Sequence, residues 1–407
     1  MFEKLFLKNK RPYMVLKKNE VFNGGKIRLL FGMSFFLGLC GSLIMYTASS
    51  YFSQAWNTEN VGLIYLFVYL LSFCELLFFD RIVYVFGKST VLFFLLFLEI
   101  LVSLGLSLFS PAPLPSIFLI FSLFLGKVLW TNLDSILEGF SVDSRSGRIR
   151  GIFLACMNAG LLLGPVFSTA VIDAYGYQTL YSFTVILFSL FLILSVFALS
   201  KNNQRTSQKI VFRKFFHEAR KNQDLFFIYW LAFTLEVFYA VLIIFTPLYL
   251  TSLGLALTDI GIILSLALLP FVFLQYPIGY IADRWFGEKE LIVVALIIMG
   301  IGVFCMPFIT TNSIFIWGLV LIFGRIGAAL LEVLRDSYFY KKIDGDAVGL
   351  ISLFRTAGSL GYVVVAITSS FFLIFGSISY VFWLAFIFII LALYPAFSLR
   401  DNYAFKD

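Results

Sequence analysis

The chain has little of what soluble enzymes use. It holds one histidine and four cysteines in 407 residues, and its charged fraction is only 13%. A soluble domain carries about twice that fraction. His217 lies among Arg213, Lys214 and Arg220, which reads as a solvated loop residue rather than a catalytic base. Cys40, Cys74, Cys156 and Cys305 all fall in apolar stretches without a CxxC spacing, so neither a disulfide framework nor a zinc site is expected. No His, Asp or Cys cluster sits at metal-ligand spacing, and the longest hydrophilic interruption between apolar stretches is 200–223. These absences count against a membrane enzyme and against a sensor with a folded soluble domain. No catalytic residue, metal or cofactor is expected. The net charge of +7 is split among short segments with no extended basic face. It fits contact with anionic membrane lipid and excludes nucleic acid as an expected partner. Residues 1–26 contain Lys4, Lys8, Lys10, Arg11, Lys17 and Lys18 but no apolar core and no small-residue cleavage site. The first apolar stretch is therefore expected to be a retained helix, not a cleaved signal.

What is present is apolar sequence, 61% of the chain. Twelve stretches, at 27–50, 59–79, 89–109, 116–138, 149–173, 178–199, 224–250, 258–281, 290–309, 313–338, 347–374 and 377–398, are long enough to cross a hydrocarbon core as helices. The expected fold is an all-α membrane protein with twelve transmembrane helices. Apart from Lys127, Arg325, Arg335 and Arg355, every Lys and Arg falls in the N-terminal tail, the even-to-odd loops, the middle loop, the C-terminal tail or the adjoining span ends. Loops 51–58, 110–115, 174–177, 251–257 and 310–312 contain none. This segregation places both termini in the cytoplasm. With no targeting peptide, it fits the inner membrane of a prokaryote.

The middle loop splits the stretches six and six. The organisation expected is a cytoplasmic tail at 1–26, a six-helix bundle at 27–199, a linker at 200–223, a second bundle at 224–398 and a tail at 399–407. Within the linker, Ile210, Phe212, Phe215 and Phe216 have helical spacing between basic residues. Both a helix lying on the inner leaflet and an unstructured connection fit that pattern. The halves repeat. Gly126-Lys127-Val128 aligns with Gly324-Arg325-Ile326 at an offset of 198. At that offset Asp134 meets Glu332, Glu138 meets Asp336, and Ala159-Gly160 meets Ala357-Gly358. At 199, Asn60-Val61-Gly62 meets Asp259-Ile260-Gly261. Parallel six-helix halves place a substrate site between them near the membrane midplane.

Charges within the spans mark that site. Lys127, Asp134 and Glu138 share a stripe about 40° wide on the fourth helix. The tenth helix repeats it with Arg325, Glu332 and Asp336, and adds Arg335. Such groups are costly against lipid and face the protein interior or a wet passage. Lys127 and Arg325 are expected at mid-depth in contact with substrate or coupling ion. Asp134, Glu138, Glu332 and Asp336 lie nearer the cytoplasmic ends, where a gate or structural pair is expected. Glu236 on the seventh helix is the best single proton-carrier candidate, since mid-depth carboxylates mark proton relays; the repeat places Leu37 at its counterpart. Arg355 is a further binding candidate. Tyr46, Trp130, Tyr239 and Phe354 are candidate walls, and Trp130 sets an aromatic plane one turn from Lys127. Glu99 lies mid-helix in the third span with no evident partner.

The loop after the eighth stretch reads Gly279-Tyr280-Ile281-Ala282-Asp283-Arg284-Trp285-Phe286-Gly287-Glu288-Lys289. Gly279 permits close helix approach, Asp283 can accept from free amides at a helix N-terminus, and Arg284 can pair with Asp336. The loop after the second stretch carries Asp80-Arg81 with Gly87-Lys88, and Glu138 is the partner by the repeat. The fifth stretch reads Gly160-Leu-Leu-Leu-Gly164-Pro165-Val-Phe-Ser168-Thr169. Its proline kinks the helix and its glycines allow tight packing.

On these residues the chain resembles the major facilitator superfamily. Gly279, Asp283, Arg284 and Lys289 match that family's signature loop, with Gly287 displaced by one residue. The first-half copy departs at Leu76, where a glycine is expected. Gly160, Gly164 and Pro165 are similar to the family's antiporter motif, with Ser168 and Thr169 replacing its last two glycines. The resemblance covers about 27–398. It implies that Asp283 and Arg284 latch the outward-facing state, that Lys127 assists proton coupling, and that the fifth-helix motif marks an exporter. The expected function is a proton-driven exporter of small amphipathic compounds, working as a monomer by alternating access. The two mid-depth cations keep a second reading open: an importer or facilitator of a polar or anionic solute such as a sugar, amino acid or organic anion.

Overall fold

A computed structural model describes residues 24–140, 146–200, 223–282, 287–342 and 348–400. Among these residues the chain is helical and contains no strand. With no water in hydrocarbon to satisfy amides and carbonyls, apolar spans must close their hydrogen bonds internally, and the helix does so within one segment. The first half comprises α1 (Gly24–Trp56), α2 (Gly62–Phe86), α3 (Lys88–Leu108), α4 (Ser116–Phe140) and α5 (Ser146–Leu199). The second comprises α6 (Gln223–Ser252), α7 (Leu257–Leu266), α8 (Leu269–Phe273), α9 (Gln275–Ile281), α10 (Glu288–Cys305), α11 (Ile314–Lys342), α12 (Val348–Phe375) and α13 (Tyr380–Ser398).

Among the described residues, nine helices are long and apolar enough to cross a membrane. They account for the twelve expected stretches as follows. The apolar run Ile152–Leu199 is 48 residues long, about twice the length of one crossing. It folds back at Gly176 (φ 81°, ψ 172°), a left-handed conformation that glycine adopts without a Cβ clash. The fifth and sixth stretches are thus the two arms of α5. Two shorter apolar helical segments, Gly62–Glu75 and Leu257–Phe273, belong to the second and eighth stretches. The eighth is broken into α7, α8 and α9, with Pro270 and Pro277 in the later pieces. Each proline removes an amide donor from the ladder. Helix ends overrun the apolar limits: α2 continues past residue 79 through Asp80 and Arg81 to Phe86. Charges halt the apolar pattern there, but they do not halt the helix. The expected linker helix near 209–220 lies outside the described residues.

Bulky side chains such as Phe67, Phe97, Phe197 and Phe315 are more than half exposed and form the lipid-facing belt. Inside the first half, α1 packs on the first arm of α5. A Cβ at Gly160 would run into the Phe35 carbonyl, and one at Gly164 into the Ser42 side chain. Glu99 is fully buried in this half and accepts a hydrogen bond from Ser122 Oγ at 2.8 Å.

The halves meet most extensively along two seams, α2 against α12 and α5 against α7. Both close at the face whose loops lack Lys and Arg. Asn60 Nδ2 donates to the Ser370 carbonyl at 3.3 Å, and Thr258 Oγ1 donates to Asp173 Oδ2 at 3.0 Å. Just below, Gly62 lies against Ala366 and Ser370, and Gly261 against Pro165 and Thr169. These two glycines are the pair related by the 199-residue offset, so the repeat builds the same close approach twice. An apolar groove of about 730 Å³ runs along the α5–α7 seam, lined by Leu162, Val166, Phe183, Ile262 and Leu266. It lies apart from the charged side chains described next.

Candidate functional site

Lys127 on α4 and Arg325 on α11, equivalent by the repeat, each rest on aromatic rings. The Lys127 ammonium is 5.5 Å from the Tyr69 ring centre and 5.0 Å from that of Tyr362. These rings come from α2 and α12, one from each half, and stack at 4.1 Å with planes 30° apart. The Arg325 guanidinium is 5.5 Å from the Tyr239 ring and 5.8 Å from Phe271, while Tyr46 of α1 reaches it from the other half. A cation over a ring face is attracted by about 0.5–2 kcal/mol, more as water is excluded. That offsets only part of the cost of burying a charge. Arg325 is only 3% exposed. Among the described residues its Nε has no hydrogen-bond partner, and no carboxylate lies within 4.0 Å of it or of Lys127.

The acids at this depth differ in their company. Glu332 accepts from the Tyr239 hydroxyl at 3.0 Å and from Gln275 Nε2 at 3.3 Å, both on Oε2. Both donors are neutral, and no basic side chain among the described residues comes within 4.0 Å of Glu332. Gln275 in turn accepts from Asn158 Nδ2 of α5 at 3.2 Å, tying the cluster across the halves. Glu236 lies 3.5 Å from Arg335, whose Nε is 3.3 Å from Asp336 and whose Nη1 donates to the Ala232 carbonyl at 3.2 Å. Arg335 also covers the Phe354 ring at 5.6 Å. Glu236 packs against Gly358 and Gly361 of α12 and feels the charge of Lys127. Asp134 of α4 pairs with Arg355 of α12 across the halves.

The structure therefore gathers Lys127, Glu236, Arg325, Glu332, Tyr46 and Tyr239 into one neighbourhood. It places Asp134 and Arg355 in a cross-half pair. Trp130 is 42% exposed and joins none of the ring contacts among the described residues. Of the expected gate, Arg81 is exposed, Gly279 lies in α9, and Asp336 is engaged by Arg335 of its own helix. Asp283 and Arg284 lie outside the described residues, as do the side chains of Asp80 and Glu138. Gly160, Gly164 and Pro165 belong to the α1–α5 packing, with the Pro165 carbonyl accepting from Thr169 Oγ1 at 2.7 Å.

Sequence reasoning missed Tyr69, Tyr362, Phe271 and Gln275, and gave Arg335 no role. The 198–199 offset sets Tyr69 against Leu268, Tyr362 against Gly164, Gln275 against Leu76 and Arg335 against Leu137. A search guided by repeated charges passes over groups that only one half supplies. The available signal was a hydroxyl or amide inside an apolar run.

The family model of the Major Facilitator Superfamily matches residues 30–334 and 237–405. No curated protein sequence matches the chain. Among solved structures, the chain is similar to a POT family transporter in complex with 5-aminolevulinic acid (TM-score 0.71, 13% identity, covering 90% of this chain and 94% of that one). It is likewise similar to a POT family transporter in complex with a thioalcohol-conjugated peptide (TM-score 0.69, 13% identity, 90% and 94%). A third likeness is to a mutant of the nucleoside transporter NupG (TM-score 0.70, 11% identity, 92% and 100%). At these identities the likeness concerns the fold.

Proposed function

The chain belongs to the major facilitator superfamily, and on that premise we propose that it carries a small solute by alternating access, driven by protons. It is an integral membrane transporter and not an enzyme. Both seams are closed at the face free of basic loops, which the charge pattern makes the outside. This geometry corresponds to the state shut to the exterior, with the solute site between Lys127 and Arg325.

The observation that carries proton coupling is the setting of Glu332. Its carboxylate is held by two neutral donors, and the same Tyr239 that holds it supports Arg325 from below. A proton arriving at Glu332 is therefore felt at the cation. Glu236 already faces Arg335, so we assign the proton-carrying role to Glu332 and a structural ion-pair role to Glu236. As for cargo, Gly160 and Gly164 are accounted for by packing on α1, which leaves the exporter motif without independent weight. The uncompensated Lys127 and Arg325 favour a polar or anionic solute over a neutral amphipathic one.

The test is uptake by the purified chain in liposomes under an imposed pH gradient, across a panel of sugars, amino acids, organic anions and amphipathic cations. A solute of the native protein should accumulate with the gradient. Glu332→Gln should abolish accumulation while solute exchange at equal pH persists. Gradient-driven accumulation that survives Glu332→Gln refutes the assignment.

A further inference from the structure

Resting on that reading, we propose that the site takes a small organic monoanion together with one proton, so that the loaded carrier has the same charge as the empty one. Among the described residues the charges around the site balance. Lys127 and Arg325 each contribute one positive charge with no acid within 4.0 Å. Arg335 holds two acids, Glu236 and Asp336, and that trio has one negative charge in excess. Glu332 adds one more. Asp134 and Arg355 cancel. The phenols of Tyr46, Tyr69, Tyr239 and Tyr362 are neutral. The empty site with every group ionised is therefore neutral overall, yet its charges are separated. The two cations sit on rings with no paired acid, and the balancing acids nearby are engaged by Arg335, Tyr239 and Gln275.

Two consequences follow. First, an anion has a place to go. Lys127 and Arg325 both lack a counter-ion, the Arg325 Nε is unpartnered in a side chain that is 3% exposed, and both cations are flanked by ring faces that suit a flat or apolar body. Second, an anion alone leaves one net negative charge in a region poor in water, which is unfavourable. A proton on Glu332 restores neutrality. Proton and anion therefore raise each other's affinity, and by linkage the effect is reciprocal. A neutral solute has no such link, and a cation would be repelled by Lys127 and Arg325.

The experiment uses the full chain in nanodiscs and isothermal titration calorimetry. The probes are benzoate, phenylacetate and hexanoate, each with its amide as a neutral isostere, at pH about 6 and about 8. Two buffers of different ionisation heat report the protons taken up. The expected result is carboxylate binding without amide binding, uptake of close to one proton per anion, and affinity falling towards tenfold per pH unit. Arg325→Gln should lose the anion and Arg325→Lys should retain part of it, both with native thermal unfolding. Glu332→Gln should bind the anion with no proton uptake and no pH dependence. Amides binding as well as carboxylates, anion binding without proton uptake in the native chain, or no carboxylate binding at all overturns the proposal. The two readings fail separately. If a pH gradient drives a neutral or cationic solute, coupled transport stands and the anion inference falls. If carboxylates bind with a proton but never cross the liposome, the converse holds.

Discussion

Adding a single methyl group at Gly62 should push the carrier out of the state described here. A Cβ at that position would lie 2.7 Å from the Ala366 carbonyl oxygen, where a comfortable contact needs about 3.5 Å. The obstruction is backbone, so it cannot rotate away. The alternatives are separation of α2 from α12 by on the order of 1 Å or retention of the clash, and over-packing of this kind costs about 1–3 kcal/mol. The methyl is harmless once the halves part, so the cost falls on the closed state alone. It therefore shifts the equilibrium towards the open state by roughly 5- to 150-fold. The repeat supplies a twin, since a Cβ at Gly261 would lie 2.7 Å from the Pro165 carbonyl oxygen. The assay is labelling by a membrane-impermeant maleimide of a Thr258→Cys reporter on the other seam, in a background lacking Cys40, Cys74, Cys156 and Cys305. Gly62→Ala should raise the labelling rate within that range. An unchanged rate in a folded protein refutes the reasoning, as does faster labelling confined to an Asn60→Cys reporter on the altered seam, because the halves would then not move as units.

Other outcomes follow from the same geometry. Removing the cross-half pair by Arg355→Gln should speed opening at the basic face, and a double-mutant cycle with Asp134→Asn should return a coupling of about 0.5–3 kcal/mol; additive effects would show that the pair does not couple the halves. Tyr239→Phe keeps the ring under Arg325 but removes a donor to the ionised Glu332 carboxylate, and should strengthen proton binding there by about 1 kcal/mol, read as a shift of the pH profile of transport to higher pH. Gly164→Ala should destabilise the first bundle by about 1–3 kcal/mol in denaturant unfolding without reversing the direction of flux; a reversal would restore the motif as a determinant of export.

Much of the architecture was legible because hydrocarbon leaves a chain few options. Apolar length set the helices, and the recurrence of Gly126-Lys127 as Gly324-Arg325 pointed to the two cations that the fold seats on aromatic rings. The reading failed where a residue acts through a contact rather than a pattern. Glu236 looked like the isolated acid because Arg335, about 80° around the helix from the stripe of Arg325, Glu332 and Asp336, was given no role. Glu332 looked like a gate residue because nothing in spacing announces that Tyr239 and Gln275 converge on it. Tyr69 and Tyr362 left only the weak trace of a hydroxyl inside an apolar run, since a tyrosine there is ordinary and their stacking is a fact of tertiary structure. Gly62 and Gly261 were seen as a repeat, but only the fold explains the recurrence.

The Tyr69–Tyr362 stack has a mechanical corollary. One ring is anchored in each bundle, so the perch beneath the Lys127 ammonium exists only while the bundles touch at that level. Rocking apart splits the perch and leaves the amine with half its aromatic seat. The attraction of this cation for a visiting charge is then not a constant of the protein. It strengthens as the mouth opens and slackens as the rings reunite, so the carrier grips on one side of the membrane and loosens its hold during the crossing.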